Sequence, residues 1–289
     1  MGKILVQVWG GLGNQMFVYA AGRALALRTN STLILDHETG FKSDLYKRSF
    51  ELSKFRINII SANKIQTFNY RGGSFIRLLS NKIKRHIPFL NIKIFQENNF
   101  EFNDKLISNP NTNCYIKGYW QSEKYFKDFS NIIKQDFSIK TEMPDSVLKE
   151  ASEIMALGER AIAIGVRRYQ EVTKFINVKL TEKEYYLKAM GLIAQKIENP
   201  VFICFTQDPT WVKENLCGKF NIQFAKSKDQ NNGAIEDLYL MKLCKHFIIS
   251  NSTFYWWGAW LADNKSKIVI APNNWLNKYT PNPDWVIID

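Results

Sequence analysis

The sequence has no run of about twenty apolar residues, the length a helix needs to cross a bilayer. It has no CxxC, and its four cysteines, Cys114, Cys204, Cys217 and Cys244, stand far apart. That excludes a paired-thiol zinc or redox motif and reads as reduced thiols of a cytosolic protein. The opening "MGKILVQVWGG" carries one lysine, then an apolar run too short for a signal peptide and without a small-residue cleavage site. Asp-x-Asp is absent. Hard divalent cations want clustered carboxylates, so a metal held by that motif is not expected. Histidine is scarce (His37, His86 and His246), which leaves few candidates for a general base. No helix-turn-helix, zinc or RNA-recognition pattern accompanies the net charge of +12. The charge therefore argues less for nucleic acid than for a smaller anion or an acidic membrane surface.

What is present is the material of two globular domains. The chain has 289 residues, 45% hydrophobic and 23% charged, long for a single core. Short apolar runs at 3–8, 32–36, 114–118, 161–166, 201–206, 222–225, 247–250 and 268–271 read as strands. Helical patterns at 15–27, 146–157, 182–196, 235–243 and 254–261 fall between them. This alternation predicts α/β layers with mostly parallel sheets. The polar stretch 140–158 precedes a fresh strand, so the domains are expected at 1–155 and 156–289. Residues 71–93 differ. Phe75, Leu79, Ile83 and Ile87 recur every four residues among Arg71, Arg77, Lys82, Lys84, Arg85 and Lys93. They predict a basic amphipathic helix, either packed on the first domain or resting on anionic lipid.

Four stretches carry chemistry. "WGGLGNQMF" joins the first strand to the first helix, with Gly11, Gly13, Asn14 and Gln15 at the junction. It lacks the last glycine of the dinucleotide fingerprint and the Gly-Lys-Ser/Thr of a phosphate loop. Bare backbone and amide side chains at a helix N-terminus suit a phosphate or a polar sugar, though a structural turn would use the same residues. "AIAIGVRRYQE" ends a buried strand in Arg167 and Arg168, where an open α/β sheet places ligands and a guanidinium can clasp phosphate. Glu171 is the nearest acid after them. "VFICFTQDP" ends in Asp208, a partner for ribose or base, or equally a helix N-cap ahead of Trp211. In "CKHFIISNSTFYWWGAWL", Asn251, Ser252 and Thr253 open a helix whose N–H groups suit a diphosphate.

In this order and spacing the stretches resemble the bacterial α-1,2-fucosyltransferases nearly end to end. "CKHFIISNSTFYWWGAWL" is the most specific piece and "GGLGNQMF" the next. The resemblance implies a GT-B-like fold, two Rossmann-like domains facing across a cleft. It implies inverting transfer of L-fucose from GDP-fucose to a galactoside-type hydroxyl in surface polysaccharide or O-antigen, without a metal or other cofactor. The nucleotide sugar is assigned mainly to the C-terminal domain and the oligosaccharide acceptor, including a lipid-linked one, to the N-terminal domain. The implied place is the cytoplasm, with peripheral contact at the inner membrane face. Arg167, Arg168 and Asn14 are the implied catalytic set. Asp208, Asn251, Ser252, Thr253, Gly11 and Gly13 are implied to bind the donor.

The chain departs from the family at three places. The central His-x-Arg-Arg-Gly-Asp-Tyr becomes Gly165, Val166, Arg167, Arg168, Tyr169, Gln170 and Glu171. Phe-Ser-Asp-Asp becomes Phe205, Thr206, Gln207 and Asp208. The Ser of Asn-Ser-Thr-Phe-Ser-Trp-Trp becomes Tyr255. A transferase using another nucleotide sugar, such as a UDP-hexose, and an inactive carbohydrate-binding relative are the alternatives.

Overall fold

The computed structural model describes residues 1–42, 44–64, 66–67, 93–97, 101–108, 110, 112–168, 179–226, 233–275, 277–278 and 280–289. The chain divides into two compact units, Met1–Ser138 and Ile139–Asp289. The expected basic helix at 71–93 lies outside the described residues apart from Lys93, which opens a strand instead.

The first unit runs β1 (Lys3–Gln7), α1 (Leu12–Arg28), β2 (Thr32–Asp36), β3 (Lys93–Gln96), α2 (Lys105–Ser108), β4 (Asn113–Lys117) and α3 (Ser130–Asp136). Its four strands are all parallel, in the order β2-β1-β4-β3. α1 is covered over most of its circumference: Met16, Phe17, Val18, Ala20, Ala24 and Leu25 are buried. Gly22 brings it hard against β1, since a Cβ there would stand 2.3 Å from the Val6 Cγ2. Tyr19 donates its hydroxyl proton to Asp136 at 2.8 Å and Arg23 adds a bond at 2.9 Å, pinning α3 to α1. β3 escapes the sequence pattern because it is a mostly exposed edge strand with no apolar alternation to betray it.

The second unit runs α4 (Asp145–Ala156), β5 (Ala161–Val166), α5 (Lys183–Ala194), β6 (Val201–Thr206), α6 (Pro209–Asn215), β7 (Ile222–Phe224), α7 (Gly233–Met241), β8 (His246–Ile249), α8 (Thr253–Leu261), β9 (Val269–Pro272) and β10 (Val286–Ile288). Its six described strands are again all parallel, ordered β10-β9-β8-β5-β6-β7. α4 belongs here, which moves the domain boundary forward from the expected 155/156 to 138/139. The reason is local. Val147, Ala151 and Ile154 bury one side of α4, and its Glu150 carboxylate accepts the Lys226 backbone N–H at 3.0 and 3.2 Å, just beyond β7.

β5 is buried along its whole length between β6 and β8, as its unbroken apolar run predicts for a central parallel strand. α8 carries the densest aromatic packing. Trp256 meets Trp257 edge-on at 4.9 Å, and Trp257 meets Trp260 at 5.2 Å. Gly258 lets α8 close on α7, because a Cβ there would stand 2.5 Å from the Met241 methyl. Among the described residues no helix is long and apolar enough to cross a membrane.

Candidate functional site

Strand order locates the ligand-binding edge of each sheet. In the second unit β5 has β6 on one side and β8 on the other, so the chain winds away from β5 in both directions. Open α/β sheets bind ligands beyond the carboxyl ends of strands at such a reversal. The register places Gly165 beside both Phe205 and Ile249, and Val166 beside Thr206. The residues that follow, 167–168, 206–208 and 250–253, therefore emerge along one edge. Arg167, Arg168, Asp208, Asn251, Ser252 and Thr253 all lie there.

Their side chains are not equivalent. Successive residues leave a strand end on opposite sides, and this separates the two arginines. Arg168 lies over the Trp211 ring at 4.2 Å, donates to the Thr181 carbonyl at 3.2 Å and has the Glu182 carboxylate 4.0 Å away. It is spent on packing. Arg167 turns towards the start of α8, with Nη1 3.4 Å from the Asn251 carbonyl. Only Arg167 stands beside the helix end where a diphosphate would gather backbone N–H groups. Ser252 occupies the N-cap position of α8, yet its hydroxyl makes no capping bond and no acidic residue sits in the first turn. Neither a capping hydroxyl nor a first-turn carboxylate offsets the positive end of this helix.

Two of the expected ligand residues have structural work. The Asn251 amide donates to the Lys179 and Asn274 carbonyls at 3.0 and 3.2 Å, and its oxygen accepts from Thr181 at 3.4 Å. It clamps neighbouring segments. Asp208 is the N-cap of α6: Oδ1 accepts the Trp211 N–H at 2.9 Å, with Pro209 at the first helical position. Of the two readings of Asp208, the cap is the one observed. Glu171 lies outside the described residues. Two acids were legible only as part of an amphipathic helix: Glu236, buried in α7, and Asp237, whose charge faces Tyr255 and Cys204. The adjacent acids in "AIEDLYL" were the available signal.

The first unit repeats the logic. β1 lies between β2 and β4, so the reversal falls between β1 and β4. Trp9 follows β1, Tyr119 follows β4, and their rings stack at 4.3 Å, 10° from parallel. Asn14 accepts from the Gln121 amide at 3.0 Å at the same place. The left-handed residue of the loop is Gly10, with φ of 76°, rather than Gly11 or Gly13. Gly11 is extended and caps α1, and a Cβ there would meet only the Arg48 Nε at 4.0 Å. Strain therefore does not explain Gly11; it leaves open space beside Arg48. Gly13 is buried in the first turn of α1. Gln15 is fully buried and clamps the loop, donating to the Gly10 and Ser49 carbonyls and accepting from Glu51, all at 2.9 Å. Arg48, over the Tyr46 ring at 4.3 Å, carried no motif to announce it.

Glu97, just beyond β3, has one oxygen accepting from the Tyr119 N–H at 2.6 Å and more weakly from Trp120 at 3.3 Å. Burial pushes its carboxyl above the usual carboxylate range, against the pull of those two N–H groups. A raised folded-state value means the folded chain holds the proton more tightly, so ionisation costs stability as pH rises. Glu97→Gln is expected to melt higher than the parent at pH 7. The gap should close as pH falls towards the carboxyl's ordinary value of 4.5. Thermal unfolding of both proteins between pH 4.5 and 8 checks this, and a constant gap would refute it. His246 is no base. Its Nδ1 accepts from Ile268 at 3.0 Å, its Nε2 meets Glu159 at 3.2 Å, and burial lowers its pKa. Among the described residues no three His, Cys, Asp or Glu side chains converge as metal ligands.

A family model described as "Glycosyl transferase family 11" matches residues 3–288. The chain belongs to glycosyl transferase family 11. The kinship with α-1,2-fucosyltransferases seen in the sequence falls within it. An α-1,2-colitosyltransferase of Escherichia coli is 30% identical over the whole of both chains. The O-antigen biosynthesis glycosyltransferase WbnK of Escherichia coli is 27% identical, covering 92% of this chain and 93% of that protein. Among solved structures, NodZ α-1,6-fucosyltransferase superposes with a TM-score of 0.51 at 14% identity, over 90% of this chain and 92% of that one. This family 11 protein is a glycosyltransferase with a GT-B-type fold, and the two parallel-sheet units are its Rossmann-like halves.

Proposed function

We propose that this family 11 transferase moves a 6-deoxy-L-hexosyl group from a GDP-sugar to a galactoside-type hydroxyl of an O-antigen or related surface polysaccharide. The transfer forms an α-1,2 linkage with inversion and uses no metal. The observation that carries this reading is Arg167 beside the uncapped start of α8, at the reversal of the second sheet. In an inverting displacement the acceptor oxygen attacks the anomeric carbon as GDP departs, and negative charge grows on the β-phosphate. A guanidinium and a helix N-terminus fixed in place beforehand stabilise that charge without a cation. L-Fucose is the sugar the sequence resemblance implies. The relative named a colitosyltransferase makes colitose, which is L-fucose without its 3-hydroxyl, the second donor sugar to test.

The first unit is the acceptor side in this reading. Trp9 and Tyr119 offer aromatic faces of the kind that pack on sugar C–H groups, with Asn14, Gln121 and Arg48 close by. Calorimetric titration with GDP and UDP tests the donor. GDP is expected to bind, with affinity unchanged by EDTA, and GDP-fucose and GDP-colitose turnover then decides the sugar. Binding of UDP alone would transfer the assignment to a UDP-hexose. Transfer abolished by EDTA and restored by Mg²⁺ or Mn²⁺ would show that a metal carries the charge.

A further inference from the structure

The carboxyl ends of β5 and β6 are tied together by a side chain that belongs to neither. Tyr255, buried on α8, donates its hydroxyl proton to the Phe205 carbonyl at 2.9 Å. The same oxygen lies 3.3 Å from the Val166 carbonyl. One proton shared between two acceptors makes a three-centre bond weighted towards Phe205. Val166 is the residue before Arg167, and Phe205 the residue before Thr206. The ring of Tyr255 rests on Gly165, where a Cβ would come within 2.4–2.7 Å of three ring atoms. Gly165 has no left-handed φ to justify it; the ring above it does. Arg167 and Asp237 carry the charges that face the hydroxyl, with Cys204 and Tyr186 beside it.

We propose that Tyr255 is a positioning residue of the donor site. Its hydroxyl sets the spacing of the β5 and β6 ends and so the aim of Arg167 and of the 206–208 turn at the nucleotide. The inference rests on the reading of that edge as the nucleotide site. Because the hydroxyl acts on carbonyls one residue upstream of each functional turn, its loss changes placement rather than removing a ligand contact. A small misplacement is costly to binding and catalysis where charge must meet charge.

Tyr255→Phe separates positioning from packing, because the ring stays on Gly165 and the core stays filled. Amide exchange without ligand should quicken about tenfold in peptides spanning 161–168 and 201–208, the loss of one hydrogen bond, and stay unchanged elsewhere in the second unit. The GDP dissociation constant, measured well below the melting temperature, should rise about tenfold and kcat should fall with it. A lowered melting temperature with unchanged GDP affinity and kcat would reduce Tyr255 to a core residue and overturn the proposal. If the parent protein binds GDP and the variant binds it equally, only this inference falls. If the parent binds no GDP at all, the donor reading falls and takes the inference with it.

Discussion

Arg167→Ala is expected to lower glycosyl transfer by about 10²–10³-fold, the usual cost of removing one donor aimed at a developing oxyanion. GDP affinity should fall as well, since in the proposed function the guanidinium meets a phosphate in both the bound and the departing state. Arg168→Ala should behave differently. That guanidinium lies on Trp211 and reaches the Thr181 carbonyl, so its loss removes packing and a hydrogen bond. The expected cost is about 1–2 kcal/mol of stability, with turnover per folded molecule changed little. Melting curves, GDP titration and steady-state transfer on the two variants make the comparison. Equal catalytic loss in both would overturn the distinction, and a larger loss in Arg168→Ala would reverse it.

The second large effect is expected at the other end of the chain. Asn14→Ala should lower turnover about 100-fold, the scale of loss when a reacting group is held out of line, while the GDP dissociation constant stays near that of the parent. The asymmetry follows from placement. Asn14 lies in the first unit, at the reversal between β1 and β4, where its amide oxygen holds Gln121. In the proposed function the groups that meet the phosphates belong to the second unit. The neighbouring amide supplies a control: Gln15 is spent on three backbone bonds, so Gln15→Ala should lower the melting temperature first. Gly11→Val is expected to leave stability nearly intact, because Gly11 is extended and its surroundings are open. It should still impair transfer by filling the space beside Arg48. Normal turnover in Asn14→Ala, in a chain shown to be folded, would make the glycine loop a structural turn.

Much of this was legible without coordinates, and the reasons are physical. A strand buried on both faces must be continuously apolar, so β5 and β6 were read to the residue from "AIAIGV" and "VFICFT". Alternation of such runs with amphipathic helices leaves few topologies other than a right-handed parallel α/β winding. Edge strands obey no such constraint: β2 and β7 still carry readable apolar runs, whereas β3 and β10 are mostly exposed and went unread. α4 was placed with the wrong unit because a helix pattern shows which face is buried and says nothing about the partner that buries it.

By itself, then, the sequence determined the fold class, the family and three strand ends, of β5, β6 and β8, that the register brings to one edge of the second sheet. It did so because burial and backbone chemistry leave periodic, local marks. It could not choose between Arg167 and Arg168 or between cap and ligand for Asp208, and it assigned no role to Gln15. Those roles depend on what each side chain meets from elsewhere in the chain: Trp211, the start of α8 and the Ser49 carbonyl. Gly165 and Tyr255 stood as two unrelated departures ninety residues apart. Only the tertiary structure made them one contact, because two side chains cannot fill the same space above β5.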